Sequence, residues 1–277
     1  MLFRSSDDVV IAVWWSDLPN WGDIVNPVLI RHLSGREPVQ HERVLNVGRR
    51  PVYSVIGSVL DRMANGRLHV WGSGFKQAAG RFWVAPERIH AVRGPLTREL
   101  ITRQGLTCPQ VYGDPALLFP RIYSPARTSR YALGVVPHYV DRDHPAVARL
   151  RERADVLVID ILSGVNVVAD QICSCEAVAS SSLHGMILAD AYGIPSTWIE
   201  FSDRVEGAGF KFHDYLAGVN RARLVPLRVS ERTTSDAIAA HVRGDRIDID
   251  LERLLAACPF AAEGRGAHIE ALSSECT

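Results

Sequence analysis

The chain has 277 residues, 47% of them hydrophobic and 22% charged, with 31 acidic side chains balancing 31 basic ones. These values describe a globular protein and exclude a disordered or fibrous chain. Zero net charge removes any whole-molecule attraction to nucleic acid, and the length suits two domains of ordinary size.

The opening residues, Met1–Asp8, lack the order of charges, apolar run and small residues that marks a signal peptide, and no apolar stretch reaches membrane-span length. Five scattered cysteines without a C-x-x-C pattern read as free thiols of a reducing compartment. A cytoplasmic protein with no metal site is expected.

Strand-like and helix-like runs then alternate. Val9–Trp15 reads as a buried strand, and Ile24–Leu33 as a helix with Pro27 in its first turn. Val52–Ile56 and Leu68–Trp71 are predicted strands flanking a short helical run, Ser58–Ala64. Ile89–Val92 is a strand that breaks at Gly94-Pro95 into a helix, Leu96–Gln104, and Val111-Tyr112 leads to a turn at Gly113-Asp114-Pro115. After the turn-rich loop Ser124–Ser129 the pattern restarts. Strands are predicted at Tyr131–Val136, Val156–Ile161, Glu176–Ala179 and Ser196–Glu200, with helices at His144–Arg153, Val165–Cys173 and Met186–Tyr192. A last amphipathic helix, Leu251–Ala257, precedes a polar tail.

Alternation of this kind means parallel sheets covered on both faces. The expected fold is α/β: two Rossmann-like domains, 1–123 and 130–277, facing a cleft. Ligands of such sheets sit at the carboxyl ends of the strands, and there the sequence turns polar and glycine-rich. The first strand is followed by Asn20, Trp21, Gly22 and Asp23, with Asn26 a turn later; the next motifs are Gly72-Ser73-Gly74, Arg93-Gly94-Pro95 and Gly113-Asp114-Pro115. In the second half come His138, then Ser181-Ser182-Leu183-His184-Gly185, then Glu200. The serine turn matters most: a strand entering a helix leaves free N–H groups that attract anions, and His184 sets a titratable donor beside them. Each motif has a bland reading as a cap, a tight turn or a solvated charge, and taken singly all but His184 would be read that way. Together they line one edge.

The set resembles the polysaccharide pyruvyl transferases. The matching elements are Asn-Trp-Gly-Asp-x-x-Asn (20–26), Gly-Ser-Gly-Phe (72–75), Arg-Gly-Pro-Leu (93–96), Tyr-Gly-Asp-Pro-Ala (112–116), Val-Pro-His (136–138) and Ser-Ser-Leu-His-Gly (181–185), in family order over roughly residues 9–200. The resemblance implies a fold like that of GT-B glycosyltransferases, with phosphoenolpyruvate as donor and no cofactor. It also implies a saccharide acceptor of exopolysaccharide synthesis, lipid-linked at the inner membrane face or free. Many members carry arginine where this chain has Ser182, so another cation is needed here, and Arg93 and Lys211 are the candidates.

Phosphoenolpyruvate carries a carboxylate and a phosphate, so it needs two cationic or N–H-rich subsites. The helix start with Ser181, Ser182 and Gly185 is expected to supply one and Arg93 the other. His184 is expected to protonate the methylene carbon, and Asp23, Asp114 or Glu200, in falling order, to take a proton from the attacking hydroxyl. Asn20, Gly72, Ser73, His138 and Lys211 complete the expected substrate-binding set. Two rivals stay open: a GT-B glycosyltransferase using a nucleotide sugar, for which Lys211 and Glu206 would grip a diphosphate, and a non-catalytic sugar-binding protein.

Overall fold

The computed structural model describes residues 8–222, 225–242 and 244–261. The expectations for the N-terminal stretch and for the polar tail beyond residue 261 lie outside them. The first half runs β1 (Val9–Val13), α1 (Trp21–Ser34), β2 (Glu37–Gln40), β3 (Val52–Ser54), β4 (Leu68–Trp71), β5 (Arg88–Ala91) and α2 (Pro95–Arg103). The second runs β6 (Tyr131–Val136), α3 (Pro145–Arg151), β7 (Val156–Val158), α4 (Val165–Cys173), β8 (Cys175–Ser180), α5 (Leu183–Ala191), β9 (Ser196–Glu200), α6 (Phe210–Gly218), β10 (Leu227–Arg228), α7 (Ser235–His241) and α8 (Leu251–Ala256).

These strands form two five-stranded parallel sheets, ordered β2-β1-β3-β4-β5 and β10-β9-β8-β6-β7. Both follow one winding rule. The chain leaves the sheet's first strand to one side and then crosses back to the other, so strand order reverses between β1 and β3 and again between β6 and β8. Crevices open at the carboxyl ends of such strand pairs, because the connecting loops diverge there.

Helix α1 begins at Trp21, three residues before the sequence pattern suggests, so Pro27 sits inside it rather than in its first turn. An interior proline removes an amide hydrogen and orphans the carbonyl four residues back. That carbonyl belongs to Asp23, and the Asn26 side-chain amide donates to it at 3.2 Å and to Gly22 O at 2.9 Å. The same side chain accepts from Ile56 N at 3.1 Å, which fixes α1 against the end of β3. Asn26 is therefore structural and fully buried.

One hydrophobic core runs through both halves, joining Trp21, Trp71 and Phe119 to Met186, Trp198 and Tyr215. Trp21 donates from Nε1 to Val165 O at 3.0 Å, and its ring meets Phe119 edge-on at 5.4 Å. Helix α8, late in the chain, packs on the first half: Trp71 Nε1 donates to Leu254 O at 2.9 Å, and Phe260 lies against Trp71 and Tyr53.

Candidate active site

A cavity of about 610 Å³ opens where the strand order of both sheets reverses. The segments after β1 and β3 supply Asn20, Asp23 and Ser58, and those after β6 and β8 supply His138, Ser182 and His184. Lys76 and Lys211 reach it from the loop after β4 and from the first turn of α6. Of the residues expected from sequence, Asn20, Asp23, His138, Ser182, His184 and Lys211 are thus brought together.

His184 is buried. Its ring lies over Gly22 so closely that a Cβ there would stand 2.0 Å from Nδ1. On the other edge Nε2 lies 3.8 Å from Oδ2 of Asp114, and neither atom has a hydrogen-bond partner among the described residues. Burial, with Lys211, Arg93 and His138 adding repulsion, pushes the His184 imidazole down to about 3. Burial likewise lifts the Asp114 carboxyl to about 7, against the opposing pull of the Ala116 amide and Arg93. Both shifts favour the uncharged form of each group.

Asp23 accepts from Trp15 N at 3.1 Å, and burial raises its carboxyl to about 6. It does not act as a helix cap. Neither Asn20 nor Ser182, which hold the N-cap positions of α1 and α5, makes a side-chain capping bond, and Asn20 Oδ1 has no partner among the described residues. His138 is pushed down to about 3 by burial and then by Lys211 and Lys76. Lys211 falls to about 8, through burial first and the neighbouring charges of Arg93 and Lys76 next. No carboxylate pairs with it among the described residues.

Other expected residues are placed differently. Arg93 is fully buried and does not face the cavity: Nε donates to Asp214 Oδ2 at 3.0 Å, and the terminal nitrogens to Ser58 Oγ at 2.6 Å and Phe75 O at 2.7 Å. Asp214, also buried, accepts from Thr97 N and Oγ1 too. Arg93 is therefore an ion-pair clamp between the two halves, and the expected grip on a donor does not match its position. The backbones close tightly around it, since a Cβ on Gly94 would stand 1.9 Å from Asp214 O.

Ser73 is spent on Ser54, with hydroxyl oxygens 2.7 Å apart, and Gly72 makes a turn at φ +94° against Pro115. Gly185 lets α5 approach β6 and β8, for its Cβ would meet Ser180 Oγ and Val136. Ser181 Oγ accepts from His138 N at 2.8 Å, so it positions the histidine loop. Asp114 caps the turn of 3₁₀ helix at Pro115–Arg121 through Ala116 N and touches the site only through His184. Glu200 lies off the cavity, beside Arg228 at 3.4 Å.

Among the cavity residues that sequence reasoning missed are Lys76, Arg62, Arg204, Trp15, Asp17 and Glu42. One signal was available. Lys76 and Lys211 are the only lysines in the chain, and both face this cavity. Glu206, read beside Lys211 as a diphosphate grip, instead pairs with Lys76 at 2.7 Å.

Comparison with known proteins bears on this arrangement. An uncharacterised protein, L143 of Acanthamoeba polyphaga mimivirus, is 31% identical over 183 residues, and this chain spans 63% of its length. The sequence model of polysaccharide pyruvyl transferases matches residues 58–203, which carry His138, Ser182 and His184 and leave the α1 motif and Lys211 outside. That match covers more than half of the chain and runs across both sheets, so the protein belongs to the polysaccharide pyruvyl transferase family.

Proposed function

We propose that the protein transfers pyruvate from phosphoenolpyruvate to two hydroxyls of a saccharide, forming a ketal and releasing phosphate. The observation that carries this reading is the charge of the cavity. Lys211, buried and with no carboxylate pair among the described residues, shares one space with Lys76, His138 and His184, and a small anion bound there would offset its charge. Two Rossmann-like domains, 1–123 and 130–277, would face each other across it in a GT-B-like way, with the acceptor on the side of Asn20, Asp23 and Trp15. An exposed tryptophan at the rim suits the apolar face of a sugar.

Protons follow from the same charges. As pH falls below about 7 the Asp114–His184 pair takes up one proton, which rests on Asp114 because burial first and the nearby cations next disfavour the imidazolium. An incoming dianion offsets those cations, so the proton passes to His184, with Asp114 orienting Nε2 and Nδ1 turned toward substrate. His184 then protonates the methylene carbon and C2 becomes electrophilic. One hydroxyl adds to C2 and gives its proton to Asp23, whose carboxyl near 6 suits a base. The second hydroxyl then attacks C2 as the C2–O bond to phosphate breaks, giving its proton to the now neutral His184 while phosphate leaves and the ring closes.

This reading needs no cofactor, and among the described residues no cluster of His, Cys, Asp and Glu has the arrangement of a metal site. It also puts the protein in the cytoplasm, with a free or lipid-linked acceptor. Calorimetric titration with phosphoenolpyruvate and with a uridine-diphosphate sugar tests the donor, followed by product masses from a panel of oligosaccharides. Binding of the nucleotide sugar alone would favour glycosyl transfer.

A further inference from the structure

The loop between β9 and α6 carries Glu206 across to the first half of the chain. Its carboxylate, itself exposed, lies 2.7 Å from Lys76 Nζ at the cavity wall. The loop backbone also bears on the same residue, since a Cβ on Gly207 would stand 2.3 Å from Lys76 O. Three consecutive residues there, Gly207, Ala208 and Gly209, have φ of +97°, +45° and +76°. For Ala208 that is a strained backbone. The ion pair beside this turn has its carboxylate largely in solvent, where such a contact is weak enough to open.

Lys211 follows that turn in α6, close enough to Lys76 for their charges to oppose each other. Glu206 feels both lysines and Arg62. Its carboxylate is thus a negative charge that Lys76, Arg62 and Lys211 share, at a position that no polar contact other than Lys76 fixes among the described residues. Resting on the donor reading above, we propose that Lys76 and Lys211 form the donor's second anion subsite, and that Glu206 is a tethered stand-in which the incoming anion displaces. This arrangement takes the place of the arginine that the resemblance leads one to expect at Ser182. A lysine at each end of the gap accepts either the phosphate or the carboxylate of the donor, because an ammonium is a point charge without the fixed fork of a guanidinium.

A competing tethered anion makes opposite predictions for its two members. Glu206→Gln removes the competitor and should tighten phosphoenolpyruvate about three- to tenfold, whereas Lys76→Gln removes the shared cation and should weaken it at least fivefold. In the double variant the Glu206 effect should largely vanish, because its one direct contact with the subsite among the described residues is the Lys76 ion pair. Calorimetry on the full chain reads all four proteins, and inorganic phosphate serves as a second titrant that does not depend on the donor's identity. Wild-type-like affinity of Glu206→Gln for both titrants, or a Glu206 effect that persists in the Lys76→Gln background, overturns the proposal. No binding of phosphoenolpyruvate, with phosphate following the expected order, would overturn the donor reading and uphold the subsite. Both side chains lie at the surface end of the cavity, so thermal melts of the variants should match the wild type.

Discussion

Gly22→Ala is the substitution that most directly asks whether the His184 imidazole does the chemistry. A methyl group on Gly22 would stand 2.0 Å from Nδ1 and 2.2 Å from Cε1, where ordinary contact begins at 3.4 Å, so the ring must retreat by about 1.4 Å. It has little room to do so, being buried with Trp21 on one side and Asp114 on the other. Misplacing a catalytic group by about 1 Å costs roughly a hundredfold in turnover. The effect on folding is smaller and partly self-cancelling. Overfilling a close contact costs about 1–3 kcal/mol, while alanine in place of glycine inside α1 returns roughly 0.5–1 kcal/mol. A net loss of about 1 kcal/mol would lower the melting temperature by about 2–4 °C. The assay is acceptor-dependent phosphate release from phosphoenolpyruvate, run beside calorimetric donor affinity. Turnover should fall about a hundredfold or more with donor affinity within a few-fold of wild type. A variant within about threefold of wild-type turnover would refute the claim that the imidazole must sit over Gly22.

Three further outcomes follow from the geometry. His184→Gln should lower turnover at least a hundredfold without rescue by divalent metal; more than about a tenth of wild-type activity would leave this side chain under 1.4 kcal/mol of transition-state stabilisation and end its catalytic role. Arg93→Ala should cost about 3–5 kcal/mol in denaturant melts by stranding buried Asp214, and Arg93→Met with Asp214→Leu should recover most of it; an unchanged midpoint with weakened donor binding would restore Arg93 to the site. Asp23, lifted to about 6 from an ordinary 3.8, opposes folding once ionised, so its cost is absent below about pH 4 and complete above about pH 6. Asp23→Asn should therefore gain stability over wild type as pH rises from 4.5 to 7.5 while losing turnover, and a pH-independent melting difference would count against the raised carboxyl.

Much of the fold was legible because buried parallel strands announce themselves: Leu68–Trp71, Tyr131–Val136 and Ser196–Glu200 have the bounds that the pattern predicts, as does the helix Val165–Cys173. The edges were not. Strand β2 is a sheet edge with a proline and two polar residues, which period and propensity read as loop, and β10 is two residues long. Helices α6 and α7 follow turn-rich segments that mask their starts. At the cavity, the strand-end motifs supply part of the rim, and the histidine and α1 aspartate within them face it. What a motif cannot disclose is its long-range partner. Arg93 in an Arg-Gly-Pro turn looks the same whether it waits for an anion or meets Asp214 121 residues later. Lys76, in no motif at all, is found only by noticing how rare lysine is in this chain.

The return of α8 to the first half has a consequence for how the chain folds as it is made. The indole of Trp71 hydrogen-bonds a carbonyl 183 residues further on. At synthesis rates of about 5–20 residues per second, that partner emerges roughly ten to forty seconds after the tryptophan. Through that interval β4 is complete, yet the side of its sheet around Trp71 and Tyr53 lacks Leu254 and Phe260, and that apolar surface stays open to other chains. A ribosome stalled before residue 250 would therefore present an aggregation-prone first half, which makes this late helix a natural point for chaperone dependence.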